Sequence, residues 1–165
     1  MKVQDIMTAD VKSCSPEANL AAISEIMFTS DYGMLPVVND RGSVNGLITD
    51  RDICIAVGTK GRRASDITVG EVISGEVFAC APDDDVRTAL ETMQKARVRR
   101  LPVIDREGGL LGILSMSDMV RCAEKNNGKK SSALSCEEVV KAYRAICEGS
   151  VVRPDEQQIK KTASA

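Results

Sequence analysis

The N-terminal part of the chain alternates between extended and helical hydrophobic patterns. Val11 to Cys14 predicts a short strand. Asn19 then suits the N-cap of a helix, because its side-chain oxygen can accept from the unpaired N–H groups of the first turn. The apolar residues of that helix recur every three or four positions, at Leu20, Ile23, Ile26 and Met27. The pattern therefore predicts a strand followed by an amphipathic helix.

Two further strands and a second helix follow. The strands are predicted at Met34 to Asn39 and Val44 to Thr49, and the four residues between them include Gly42, which suits a hairpin turn. Pro36 has no backbone N–H, so we expect it at the start or edge of its strand. A helix is predicted through Asp52 to Val57. The whole unit is strand, helix, strand, strand, helix.

The same pattern recurs without a gap 66 residues further along the chain, the separation of Cys14 and Cys80. That offset carries Leu35-Pro36-Val37 onto Leu101-Pro102-Val103. Other matched pairs are Glu25 and Glu91, Met27 and Met93, Gly42 and Gly108, Gly46 and Gly112, and Asp52 and Asp118. A fixed internal period of this kind indicates duplication. The sequence predicts an α/β protein of two repeats, at 1–58 and 68–124, packed as a pair because either half alone would bury too little surface.

Outside the repeats the chain is polar, with one further helix. Residues 59–67 and 125–134 are predicted to be linkers. A helix is predicted over 135–148, since Ser135 and Glu138 match a capping box. Its apolar face comprises Val139, Tyr143, Ile146 and Cys147. The segment 149–165 is predicted to be disordered.

Composition excludes several functions. A net charge of −2 gives no attraction to nucleic acid, and no apolar run is long enough for a membrane span, so we expect a cytoplasmic protein. The absence of histidine removes the usual general base, and 2% aromatic residues leave few stacking platforms for single-stranded nucleic acid. No two of the six cysteines form a C-x-x-C pair, which predicts buried thiols and no metal site.

The strings GLITDRD at 46–52 and GILSMSD at 112–118 each follow a Leu-Pro-Val and a glycine-containing hairpin. In this they resemble cystathionine-beta-synthase-type (CBS) domains, and the resemblance covers residues 3 to 124. It implies a Bateman module, in which two repeats pack across a pseudo-twofold axis and two such pairs often form a dimer. It also implies a ligand in the cleft between the repeats: AMP, ADP or ATP, with S-adenosylmethionine or an NAD-like molecule as less favoured ligands. No cofactor is required for such a role.

Two pairs of residues stand where a strand meets the following helix: Thr49 with Asp52, and Ser115 with Asp118. A hydroxyl and a carboxylate at this spacing can cap their own helix, and the spacing alone favours that role. The resemblance implies instead that they hold a ribose and a phosphate. Both roles can coexist, because a carboxylate accepts several hydrogen bonds.

Charged positions differ between the repeats. Arg97, Arg99 and Arg100 of the second repeat replace Asp31, Gly33 and Met34 of the first, and Arg51 of the first is replaced by Ser117. In similar modules the residues before Leu-Pro reach the site of the other repeat. The resemblance thus implies one cleft comprising Thr49, Arg51, Asp52, Arg99 and Arg100, and a second in which Met34 faces Ser115 and Asp118.

We expect the Asp52 cleft to hold the polyanionic ligand, because guanidinium groups bind phosphate oxygens in bidentate fashion. The Asp118 cleft is expected to be weaker, to take a less charged ligand or to stay empty. For the arginines, a solvated helix end is an equal alternative. Thr8 and Val11 resemble the segment that flanks adenine in the family, although such positions also fill cores.

Two classes of function remain open. One is a regulatory module that senses a nucleotide and is read by an unidentified protein partner; the other is a ligand-independent dimeric scaffold that keeps the fold. Catalysis is disfavoured, since neither G-x-G-x-x-G nor G-x-x-x-x-G-K occurs. A redox-sensing role for cysteines is also disfavoured, because Cys14 and Cys80 occupy equivalent strand positions that suit packing.

Overall fold

A computed structural model describes residues 1–73, 77–125 and 134–148. The elements in chain order are β1 (Thr8–Ala9), α1 (Leu20–Ser30), β2 (Met34–Val38), β3 (Val44–Thr49), α2 (Asp50–Lys60), α3 (Val86–Ala96), β4 (Arg100–Ile104), β5 (Leu110–Ser115), α4 (Met116–Lys125) and α5 (Cys136–Glu148). The predicted α/β class and the helix, strand, strand, helix order of each repeat are confirmed. The predicted tail at 149–165 and most of the predicted linker at 125–134 lie outside the described residues.

Each repeat is built on a two-stranded antiparallel hairpin, β2 with β3 and β4 with β5. A side-chain oxygen shapes each turn: Asn39 and Asp105 both accept backbone N–H groups two and four residues further on. Gly42 and Gly108 have φ of 79° and 85°, a conformation that other residues adopt only with strain. The hairpins that the sequence predicted are therefore present, with glycine where the turn requires it.

The predicted opening strand is shorter than expected and lies elsewhere. Over Val11 to Cys14 the backbone forms only an isolated parallel bridge, from Cys14 to Val37. The strand β1 lies just upstream and pairs with β5 of the second repeat, not with its own repeat. Gly112 permits this approach, since a Cβ there would lie 2.5 Å from the carbonyl oxygen of Thr8. The first residues of the chain thus complete the sheet of the second repeat.

The first residues of each repeat pack in the core of the other repeat. The N–H of Val3 donates to the carbonyl of Asp84, and the equivalent Val69 donates to Ala18, each at 2.9 Å. Val3 belongs to the core of the second repeat and Val69 to that of the first. Ile67, predicted within a linker, is likewise fully buried in the first core. Neither repeat is complete without the segment ahead of the other.

Helix α5 belongs to the core of the second repeat. Its predicted capping box is present, with the N–H and hydroxyl of Ser135 both donating to Glu138 at 2.8 Å. Arg87 on α3 donates to the same carboxylate at 2.9 Å, and with the Ser135 bonds it lowers the pKa of Glu138 to about 2. The buried residues of α5 are Val139, Ala142 and Ile146. Tyr143, predicted on this face, is 43% exposed.

No helix among the described residues covers α1 and α2 as closely as α5 covers α3 and α4. Large apolar side chains of the first repeat are accordingly left in solvent: Phe28 on α1 is 89% exposed and Ile55 on α2 is 50% exposed. The repeats therefore share a backbone pattern but differ in what covers their helices.

Candidate ligand-binding site

A cavity of about 160 Å³ lies between the two repeats. It brings together six of the residues that the sequence predicted to bind ligand: Thr8, Val11, Met34, Arg100, Ser115 and Asp118. The first repeat contributes β2 and the segment around β1, and the second contributes β5 and the start of α4. Pro36 and Ile113 contribute apolar side chains to the wall of the cavity. The predicted meeting of Met34 with Ser115 and Asp118 is thus present in the structure.

Asp118 is the most deeply buried charged residue of the described chain, with its side chain 5% exposed. Its Oδ2 accepts from the N–H of Ser115 at 2.8 Å and from the hydroxyl at 2.6 Å. Its Oδ1 accepts from Arg121 at 2.5 Å. The guanidinium and these hydrogen bonds offset the cost of burying the carboxylate. The capping role is present, and the remaining lone pairs can still accept a ligand hydroxyl.

Thr49 and Asp52 repeat this geometry in the first copy. The N–H and hydroxyl of Thr49 donate to Asp52 at 2.9 and 2.6 Å. The counterpart of Arg121 is Ile55, and Asp52 forms no ion pair with any residue that the structure describes. Positions 74–76, the counterparts of 8–10, lie outside the described residues. This cleft therefore keeps the cap but lacks the guanidinium.

The structure places the arginines differently from the prediction. Arg100 lies opposite Ser115 in the β4–β5 hairpin and lines the Asp118 cavity. The prediction had grouped it with Asp52. Arg99 faces α5, with its guanidinium carbon 5.7 Å from the centre of the Tyr143 ring. The hairpin register alone does not decide which cleft such a residue lines, because Met34 pairs with Thr49 of its own repeat and still lines the Asp118 cavity. Arg51 is exposed on the first turn of α2.

Two basic residues of the cavity were missed from the sequence. Lys12 lines it and donates to Ser30 at 2.9 Å. Arg121 also lines it, and its position three residues after Asp118 is a helical ion-pair spacing that the sequence displays. No comparable signal marks Lys12. Lys12, Arg100 and Arg121 thus line the Asp118 cavity together with two carboxylates, Asp31 and Asp118. The cavity that was expected to be the less charged one therefore has three cationic side chains in its lining.

The thiols match the sequence expectation in part. Cys14 and Cys80 are buried, and burial raises their pKa to about 11 and about 12, which keeps them protonated and unreactive near neutral pH. Cys122 is also buried, whereas Cys54 and Cys136 are exposed. The six cysteines form no disulfide, and the described residues contain no cluster suited to a metal ion. Within the same residues no helix has the length and apolar character that a membrane crossing requires.

Comparison with known proteins decides the family. Both repeats match the model of the CBS domain, over residues 3–58 and 69–125. The chain belongs to the CBS domain family. The CBS domain-containing protein YhcV of Bacillus subtilis is 32% identical over 133 residues, which are 81% of this chain and 92% of that protein. Several longer relatives match this chain over only 22% to 27% of their own length.

Solved structures agree with this CBS pair in fold. Hypoxic Response Protein I, solved with two coordinated zinc ions, is 30% identical with a TM-score of 0.67, and the match covers 73% of this chain and 98% of that one. CBSX2, solved in complex with AMP, is 24% identical with a TM-score of 0.67, covering 76% and 98% of the two chains. The arrangement of two repeats around a shared cleft is therefore that of known CBS pairs.

Proposed function

We propose that this CBS pair is a regulatory module that binds an adenine nucleotide, or a related adenosine-containing molecule, in the Asp118 cavity. The observation that carries the proposal is the convergence in one cavity of six residues that the sequence predicted to bind ligand: Thr8, Val11, Met34, Arg100, Ser115 and Asp118. The AMP complex of CBSX2 supports it, because it is a case of this fold holding such a ligand.

The chemistry of the cavity suits the parts of a nucleotide. Pro36 and Ile113 offer apolar surface to a base, and Asp118 offers acceptor positions to ribose hydroxyls. Lys12 and Arg100 supply positive charge for a phosphate. Small-molecule sites typically combine such an apolar lining with a few placed polar groups. The single polyanion site is thus proposed here, and not in the Asp52 cleft that the sequence favoured.

A ligand in this cavity would contact both repeats. β2 comes from the first repeat, and β5 and α4 come from the second. A ligand shifts the equilibrium between two arrangements of the repeats only by its difference in affinity for them, and a site that both repeats line provides such a difference. A protein partner that binds one arrangement would then read the occupancy. This role requires no catalysis by the module.

The test is calorimetric titration with AMP, ATP and S-adenosylmethionine, of the wild type, Asp118→Asn and the matched control Asp52→Asn. Loss of a charge-assisted hydrogen bond is worth about 1.5–3 kcal/mol, so we expect Asp118→Asn to weaken binding about tenfold or more. Asp52→Asn should change the affinity less than about twofold, within the scatter of surface substitutions. Thermal melts of the ligand-free variants establish that both fold. The reverse pattern would place the ligand in the Asp52 cleft and reject the proposal.

A second candidate function is a ligand-independent dimeric scaffold. The exposure of Phe28 and Ile55 on the uncovered helices of the first repeat favours it, since exposed apolar patches mark interaction sites. Sedimentation equilibrium of the wild type and Phe28→Glu tests the dimer, which the substitution should dissociate. A melting temperature that millimolar AMP, ATP and S-adenosylmethionine all leave unchanged would support the scaffold over the sensor, because a bound ligand must raise stability.

A further inference from the structure

The ion pair of Asp118 and Arg121 lies between two spaces. One is the proposed ligand cavity of about 160 Å³, and both residues line it. The other has a volume of about 370 Å³ and lies between α4 and the N-terminal segment 1–7. The same two residues line this second space, and Asp5 lines it from the N-terminal segment. A movement of the Arg121 side chain therefore affects both the ligand cavity and the N-terminal segment.

Asp118 has few acceptor positions left for a ligand. A carboxylate offers about four lone-pair positions to hydrogen-bond donors. The N–H and hydroxyl of Ser115 donate to Oδ2 at 2.8 and 2.6 Å, and Arg121 donates to Oδ1 at 2.5 Å. About one position thus remains, whereas a ribose presents a pair of neighbouring hydroxyls. The second hydroxyl of a ribose can bind Asp118 only when Arg121 leaves it.

Arg121 is well placed to leave. Its side chain is 67% exposed, whereas that of Asp118 is 5% exposed. A solvated guanidinium gains little from an ion pair, because water replaces the lost hydrogen bonds. The buried carboxylate needs donors at all times, and the hydroxyls of a ribose would supply them. The ion pair therefore satisfies Asp118 in the ligand-free protein and yields to a ligand that brings its own donors.

Asp5 offers Arg121 a second partner. Its carboxylate lines the larger space together with Arg121, and it forms no ion pair with a residue that the structure describes. The counterpart of Asp5 at the offset of 66 is Glu71, which pairs with Arg62 at 2.6 Å. A carboxylate at this position of the repeat thus accepts a guanidinium readily. Arg121 can pair with Asp5 after it leaves Asp118.

The first repeat lacks this arrangement. Thr49 and Asp52 form the same capping box as Ser115 and Asp118, and the counterpart of Arg121 is Ile55. The capping box therefore forms without an arginine three residues after the carboxylate. Arg121 is an addition of the second repeat, at the carboxylate that lines the proposed ligand cavity.

We infer that Arg121 is an internal competitor of the ligand, which the ribose hydroxyls displace from Asp118 and which then pairs with Asp5. Occupancy of the cavity is thereby transmitted to the N-terminal segment, which gains an ion pair with α4. The inference concerns the regulation of the proposed site and rests on the proposed function, because it requires a ribose in the Asp118 cavity.

The experiment is calorimetric titration of the full chain with adenosine, which has the ribose hydroxyls but no phosphate to contact Arg121. Arg121→Ile introduces the residue of the first repeat. It should bind adenosine about fivefold more tightly than wild type, because the ligand no longer breaks an ion pair worth about that factor. Arg106→Gln, which removes the same charge from an exposed hairpin turn, is the matched control and should leave the affinity unchanged.

A double-mutant cycle tests the role of Asp5. Asp5→Asn alone should weaken adenosine binding about two- to threefold, since the displaced guanidinium loses its second partner. In the Arg121→Ile background the same substitution should have no effect, because no guanidinium is displaced. Thermal melts of the ligand-free variants establish that each one folds. If Arg121→Ile does not fold, Arg121→Gln takes its place, because it removes the charge and keeps a polar side chain.

The outcomes separate the inference from the proposed function. If Arg121→Ile binds adenosine no more tightly than wild type, or Arg106→Gln tightens binding as much, the competition is rejected and the proposed function stands. If Asp5→Asn has no effect, or the same effect in both backgrounds, Asp5 is rejected as the second partner.

Two results concern the proposed function itself. If Arg121→Ile binds adenosine and AMP while wild type binds neither, the competition is supported and the proposed function of the wild type is rejected. If adenosine binds neither protein, the competition is rejected, and titration with AMP, ATP and S-adenosylmethionine decides the proposed function.

Discussion

The two repeats of this CBS pair differ where ligands would bind and agree where they pack. Cys14 and Cys80 occupy equivalent buried positions, and Gly46 and Gly112 both admit a neighbouring segment. Around the strand–helix junctions, by contrast, charged positions differ: Gly33 and Met34 of the first repeat correspond to Arg99 and Arg100 of the second, and Arg51 corresponds to Ser117. The second repeat also has α5 on its helices. The comparison teaches that packing limits which residues a duplicated fold accepts, whereas the junctions around the cleft are free to specialise.

The largest expected effect concerns helix α5, which packs on α3 and α4 of the second repeat. Ile146 of α5 is 1% exposed, so Ile146→Ala should lower the free energy of unfolding by about 2–5 kcal/mol, through lost burial and a residual cavity. Val140→Ala is the control, because Val140 on α5 is 66% exposed; it should change the free energy of unfolding by no more than about 0.5 kcal/mol. Urea denaturation measures both. Equal stability of Ile146→Ala and wild type would show that α5 is not part of the second core.

A smaller effect should distinguish the two glycines that admit the exchanged segments. At Gly112 a Cβ would meet the backbone oxygen of Thr8 at 2.5 Å, whereas at Gly46 it would meet the side-chain tip of Ile73 at 2.7 Å. A side-chain tip can move and a paired strand cannot. Gly112→Ala should therefore lower the free energy of unfolding by about 1–3 kcal/mol, and Gly46→Ala should lower it by less. A Cβ at Gly58 in α2 would have no neighbouring atom within 4 Å, so Gly58→Ala should raise the free energy of unfolding by about 0.5–1 kcal/mol. Greater damage from Gly46→Ala would contradict the assignment of β1 to the second sheet.

The smallest effect is the pH dependence of stability that Glu138 contributes in the second repeat. The Arg87 hydrogen bond and those from Ser135 lower the pKa of Glu138 from 4.5 to about 2. A lowered folded-state pKa gives stability that is present above about pH 5 and is lost as the pH falls toward 2. Glu138→Gln should therefore flatten the stability profile across this window, by a modest amount because both partners are partly solvated. Glu137→Gln, on the exposed neighbour, should leave the profile unchanged when melts are recorded from pH 2 to 7.

The sequence predicted the fold well, because its signals are local. The turn glycines Gly42 and Gly108, the cap at Asn19 and the capping box at Ser135 act within a few residues, and each is present in the structure. The internal period of 66 residues then predicted that the chain consists of two similar repeats packed as a pair. The position of β1 could not be predicted in this way, because its partner, β5, lies far along the chain.

The candidate site was predicted less completely. The cavity residues Met34, Ser115 and Asp118 were found because motif positions repeat. Arg100 was assigned to the other cleft, since neither motif nor spacing reveals which side of a hairpin a long side chain takes. The contact of Arg99 with Tyr143 was missed for a related reason: it depends on how α5 docks, which amphipathic spacing alone does not determine.

The exchange of segments between the cores has a consequence for the order in which the protein folds during synthesis. The first repeat needs the buried segment at Ile67 and Val69, which follows it directly in the chain, so all of its core is available early. The second repeat needs Val3, which must wait for the carbonyl of Asp84 to emerge from the ribosome. Such long-range contacts form late, because a large loop must close first. The segment around Val3 is thus synthesised well before the core that it completes and reaches its native place late, which leaves it accessible to chaperones and proteases during that interval.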